Sequence, residues 1–115
     1  MAVIGLQEVV IDCRDPATLV EFWARVFGAD AVVRDETWAY VDAPITRIRI
    51  AFQRVPEAKT VKNRVHLDVE VDDIGAESER VTALGARVHG PPMEDEQGPF
   101  QVMLDPEGNE FCLVA

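Results

Sequence analysis

From residue 8 to residue 13, Val9, Ile11 and Cys13 alternate with Glu8, Val10 and Asp12, the period of a strand with one packed face. The period then changes. Asp15 and Pro16 supply an N-cap and a first helical residue. Leu19, Phe22, Trp23, Val26 and Phe27 follow at three- and four-residue spacing and predict an amphipathic helix that Gly28 ends. Three short strands are expected next, around residues 31–33, 37–41 and 47–55, with Ala43-Pro44 separating the second from the third. In the last of these, Ile48, Ile50 and Phe52 face one way, and Arg47, Arg49, Ala51 and Gln53 face the other.

A polar, Lys-bearing connector over about residues 57–63 precedes a second round of the same pattern. Val65, Leu67, Val69 and Val71 alternate with His66, Asp68, Glu70 and Asp72, and Asp73 opens a helix running through Ile74, Val81 and Leu84 to Gly85. Strands are expected at 86–89, 100–104 and 110–114, the last two joined by the turn Asp105-Pro-Glu-Gly-Asn109. The segment 90–98 is polar and broken by Gly and Pro, and is expected to be irregular: a mobile loop at a pocket mouth, or else a plain acidic surface loop. Glu8 maps onto His66 and Asp15 onto Asp73 with one offset, 66 − 8 = 73 − 15 = 58. The chain therefore reads as two tandem βαβββ modules, an α+β duplication, with module one at about 1–56 and module two at about 64–115.

A length of 115 residues with 48% hydrophobic and 28% charged side chains suits a single domain with a real core. The formal charge of −10, from 21 acidic against 11 basic residues, argues against nucleic acid and anionic membrane surfaces as partners. Residues 1–11 are apolar but carry Gln7 and Glu8 and no basic leader, so they read as a strand and not as a signal peptide. No run is long enough to span a bilayer. The two cysteines, Cys13 and Cys112, have no paired spacing, which fits a reducing cytoplasm.

The opening Val9-Val-Ile-Asp-Cys-Arg-Asp-Pro16 with Phe22-Trp23 and Phe27-Gly28, and the closing Asp105-Pro-Glu-Gly-Asn-Glu-Phe111, resemble the vicinal oxygen chelate superfamily of glyoxalase, bleomycin-resistance and dioxygenase proteins. Phe52 to Glu57 and Lys59 to Asp68 are similar to its small glyoxalase-like domain branch. The resemblance implies a curled, cup-like mixed sheet with helices outside, a small-molecule site within, and completion in a homodimer. It also implies two competing activities. One is metal-assisted lyase, isomerase or dioxygenase chemistry beside a carbonyl or vicinal diol. The other is non-catalytic, antibiotic-type binding or sequestration. A ferredoxin-like dimeric regulatory module has a similar α+β pattern but fewer strands per helix.

Carried over residue by residue, the resemblance places Glu8 and His66 at the first-strand ligand positions, competent for Zn, Ni, Fe or Mn and for moving a proton. The final-strand position, where a Glu is commonly expected, is Cys112, and module one offers only Gln53 or Ala51. This incomplete set weighs against a resident divalent ion, and no nucleotide cofactor is expected. Without metal, His66 pairs with Asp68 or Glu8, and Cys112 is an inert small side chain. Trp38, Tyr40, Arg47, Arg49, Gln53, Asp68 and Met103 are the further ligand-contacting candidates. Arg47 and Arg49 offer guanidinium forks for an anion, or else form a solvated strand face.

Overall fold

A computed structural model describes residues 3–115. It divides into two compact units meeting at Ala58–Lys59. Of the N-terminal apolar stretch, residues 1 and 2 lie outside the described residues, residues 3–7 form no regular element, and the first strand begins at Glu8. No helix among the described residues is long and apolar enough to cross a membrane.

The first unit contains β1 (Glu8–Cys13), α1 (Pro16–Phe27), β2 (Asp30–Asp35), β3 (Trp38–Asp42) and β4 (Arg49–Arg54). Its sheet order is β1-β4-β3-β2, with β1 parallel to β4 and the other pairs antiparallel. Helix α1 starts where expected: the Asp15 carboxylate accepts from Thr18 N at 3.3 Å and Thr18 Oγ1 at 2.7 Å. It ends at Gly28, whose left-handed φ of 64° lets its N–H reach back to the last turn. The apolar stripe lies against β2, β3 and β4. Leu19, Phe22, Trp23 and Val26 are buried, as are Ala39, Val41, Ile50 and Phe52 of the sheet, and Phe22 meets Trp23 edge-on at 5.3 Å.

The second unit contains β5 (Leu67–Glu70), α2 (Ile74–Leu84), β6 (Arg87–Val88), β7 (Met93–Asp95), β8 (Gly98–Leu104) and β9 (Glu110–Val114). Its order, β5-β9-β8-β6, repeats the permutation of the first unit, and β5 again runs parallel to β9. Strand β7 is an addition that pairs with β8 alone. Asp73 caps α2 by accepting from Ala76 N at 3.0 Å. This helix packs on β6, β8 and β9 but buries only Val81 fully.

Three expectations require correction. The modules are present, but the curled, cup-like sheet is not. Each unit has its own open sheet with two edge strands, and neither sheet is closed or strongly curled. The third strand of module one starts at Arg49, not Arg47, because Pro44–Thr46 forms a single 3-10 turn that leaves Arg47 with φ 60°. The segment 90–98 is not irregular throughout. Asp95 accepts from Gln97 N at 2.9 Å and Gly98 turns with φ 125°, so Met93, Glu94 and Asp95 pair with Phe100, Pro99 and Gly98. An exposed strand held by backbone pairing needs no apolar alternation, so periodicity misses it.

The β8–β9 turn is organised by a fully buried carboxylate. Asp105 Oδ1 accepts from the Glu107 and Asn109 backbone N–H groups, both at 2.9 Å, and Oδ2 accepts from Asn109 Nδ2 at 3.1 Å. Asp105→Ala should therefore lower the unfolding free energy in urea by about 2–3 kcal/mol, since several donors lose a charged acceptor. Asp105→Asn, which keeps one acceptor oxygen, should lose less.

Candidate functional site

Strand alternation in the second unit separates two sets of side chains. Gln101, Met103, Phe111 and Leu113 are buried, and Met103 Sδ accepts from Ser78 Oγ of α2 at 3.7 Å, which marks this as the helix-packed side. The intervening residues Phe100, Val102, Glu110, Cys112 and Val114 line a pocket of about 430 Å³ together with His66 and Asp68. The pocket thus lies on the sheet face opposite α2. The hairpin turn between β7 and β8 contributes Asp95, Gln97, Gly98 and Pro99 to it.

Three potential ligand groups converge there. Parallel pairing sets Asp68 directly beside Cys112, and His66, two residues before Asp68, falls on the same side. One donor atom from each lies within 4.8 Å of the other two. His66 Nε2 is 3.2 Å from Asp68 Oδ1, and both side chains are largely exposed. Burial pushes the half-buried Cys112 thiol above its ordinary pKa, the Asp68 carboxylate adds to this, and Lys62 opposes it. Without an ion the sulfur is therefore a thiol at neutral pH, in keeping with an inert side chain.

Glu110 is a different kind of carboxylate. It is 7% exposed, and Lys59 Nζ donates to its Oε1 at 2.7 Å while Asn63 N donates to its Oε2 at 3.0 Å. Burial alone would raise its pKa, but the Lys59 and Asn63 hydrogen bonds and the charges of Lys59 and Lys62 together hold it below the usual glutamate value. Both oxygens are engaged, so the carboxylate is committed to fastening the connector to β9.

The predicted site residues are distributed between the units. His66, Asp68 and Cys112 come together in the second, with Asp68 standing beside the other two as a potential ligand and not only as a neighbour. Glu8, Tyr40, Arg49, Trp38 and Gln53 belong to the first. There Glu8 stands opposite Arg49 and Trp38 opposite Gln53, and the Arg49 guanidinium lies 4.0 Å over the Tyr40 ring. Glu8 Oε2 is buried and finds no hydrogen-bond partner among the described residues. Arg47 sits in the turn before β4. Met103 is not on the pocket side: it is fully buried against α2, and its neighbour Val102 takes the lining position. Sequence reasoning missed Lys62, Phe100, Val102 and Val114, although the alternation of β8 and β9 carried the signal for the last three.

The donor types fit a borderline divalent ion. Imidazole nitrogen, carboxylate oxygen and thiolate sulfur are all zinc ligands, and three protein donors leave a coordination position open. The set is incomplete as a closed four-ligand site, because Glu110 is held by Lys59 and Asn63; in the first unit the position corresponding to Cys112 is Ala51. Val10 pairs with Ala51 as Asp68 pairs with Cys112, and Asp68 follows Val10 by the repeat offset, 68 − 10 = 58.

A family model described as a glyoxalase-like domain matches residues 8–114. A search of curated protein sequences finds no match. Among solved structures, a glyoxalase/bleomycin resistance protein/dioxygenase family enzyme from Burkholderia phytofirmans is similar with TM-score 0.77 and 24% identity, over 94% of this chain and 95% of that one. The fosfomycin resistance protein FosX from Mesorhizobium loti gives TM-score 0.72 and 24% identity, covering 97% and 92%. A bleomycin-binding protein from Streptomyces verticillus, complexed with copper(II)-bleomycin, gives 0.68 and 22%, covering 100% and 98%. At these identities the likeness establishes a shared fold.

Lys59→Met should destabilise the protein at pH 7 by about 1–3 kcal/mol, because it leaves Glu110 buried with its main charge partner gone. Glu110 is held below its unfolded pKa, so its contribution is present above that value and is lost as pH falls through the folded one. Urea titrations of wild type and variant at descending pH should accordingly converge in acid.

Proposed function

The chain belongs to the glyoxalase-like domain family of the vicinal oxygen chelate superfamily, and from that premise we propose that it binds a small organic molecule in the pocket of its second unit and acts on it with His66. The observation that carries this reading is the convergence of His66, Asp68 and Cys112 on one pocket face. Phe100, Val102 and Val114 supply apolar surface for the body of a ligand. In the metal-free site His66 would accept a proton from a ligand carbon or hydroxyl, and Asp68, 3.2 Å away, would stabilise the imidazolium that results. A divalent ion held by His66, Asp68 and Cys112 would instead supply Lewis-acid polarisation of adjacent ligand oxygens, with His66 then a ligand and no longer the base. The same pocket supports metal-free, antibiotic-type sequestration as a second reading, favoured by the missing fourth donor and the commitment of Glu110 to Lys59.

Metal analysis of tag-free protein followed by a thermal-shift screen of small carbonyl compounds and antibiotics tests the proposal. A true ligand at a hundred times its dissociation constant should add about 2.7 kcal/mol of stability. His66→Ala should abolish turnover of that compound under the catalytic reading. Tight binding with no turnover in either protein selects sequestration, and no stabilisation by any compound removes both.

The two free cysteines suit a reducing, cytoplasmic setting. Pairing of two chains is part of the same proposal: Val3, Ile4 and Leu6 are apolar and exposed, and such surface gains by burial against a partner. Sedimentation at micromolar concentration should give twice the chain mass, and Ile4→Asp should shift it toward the monomer.

A further inference from the structure

We propose that Cys112 is the specificity-determining ligand of this site and makes it a thiolate-bound zinc centre. The inference rests on reading His66, Asp68 and Cys112 as a metal centre and adds which ion they select.

Pairing of β5 with β9 holds Asp68 and Cys112 side by side, so the carboxylate and the sulfur approach an ion from adjacent strands while His66 adds the nitrogen. Besides Asp68, the pocket is lined by the carboxylates of Asp95, on the β7–β8 hairpin, and Glu110; Glu110 is the one on the strand that carries Cys112. It lies two residues before Cys112 on the same strand face and lines the same pocket. Lys59 and Asn63 occupy its two oxygens. The donor atoms that converge are one nitrogen, one oxygen and one sulfur. Manganese and magnesium favour six oxygens in octahedral array, whereas zinc accepts mixed nitrogen and sulfur donors in a four-coordinate site. Binding replaces the S–H bond of Cys112 with a zinc–sulfur bond and releases the proton to solvent. Lys59 is then a positioning residue: by holding Glu110 it keeps the donor set soft.

Nearly every nitrogen- and oxygen-bearing site prefers zinc to manganese, so the informative quantity is how the zinc-to-manganese affinity ratio depends on residue 112. Metal-free full-length protein would be titrated calorimetrically with each ion, and with cobalt(II) as an optical probe of sulfur ligation. Wild type should show thiolate-to-cobalt charge-transfer absorption in the near ultraviolet. Cys112→Ser should lose that absorption and weaken zinc binding by about tenfold or more, and Cys112→Asp should lower the zinc-to-manganese ratio by about tenfold or more. Lys59→Met should move the ratio in the same direction by freeing Glu110, a change that loss of stability alone does not produce. If the ratio and the cobalt absorption are the same in wild type and both Cys112 variants, the inference is overturned while the metal centre stands. If wild type takes up none of the three ions, the metal-centre reading itself fails, and the inference with it.

Discussion

Each half of this chain depends on its first strand lying parallel to its last. That pairing carries the chain across the sheet and leaves the helix to cover one face. It also decides which side chains from distant parts of the sequence become neighbours. Asp68 and Cys112 are 44 positions apart (112 − 68) and stand side by side only because β5 and β9 share a register. A slip of one residue would turn Cys112 to the helix-packed side and bring Phe111 or Leu113 to the pocket. The apolar residues that pack on α2 therefore guard the register, and through it the placement of every polar group on the opposite face.

The duplicated framework carries two different chemistries. Where the second unit has His66, Asp68, Cys112 and Glu110, the register places Glu8, Val10, Ala51 and Arg49 in the first. The counterpart of a donor cluster is thus a face on which an arginine stacks over Tyr40, and of the four corresponding positions only Glu8 is a carboxylate. Helix burial diverges as well: α1 buries most of its length, whereas α2 buries Val81 alone. Backbone pairing tolerates such divergence because its hydrogen bonds do not depend on side-chain identity.

Much of the fold was legible because it is written in local periodicity. The caps at Asp15 and Asp73, the stops at Gly28 and Gly85, and the strand at 110–114 follow from residues close to one another in sequence. The site was legible in part. The alternation around His66 and Asp68 and the departure at Cys112 stood out, but the clamp on Glu110 required knowing that the connector lysines lie beside β9, which no local pattern contains. The sequence makes Met103 a ligand-contacting candidate, and its full burial against α2 turns it away from the pocket. The cup-like sheet came from resemblance and not from periodicity, and the separate hydrogen-bond ladders of the two units overturn it.

The β7–β8 hairpin has no counterpart in the first unit's sheet, and the whole of β7 is exposed. Its turn nevertheless borders the pocket through Asp95, Gln97 and Gly98. Substitutions there reach the ligand's surroundings without disturbing any residue packed against α2. This add-on is the part of the molecule where descendants of a common scaffold can diverge in what they recognise while inheriting the same interior.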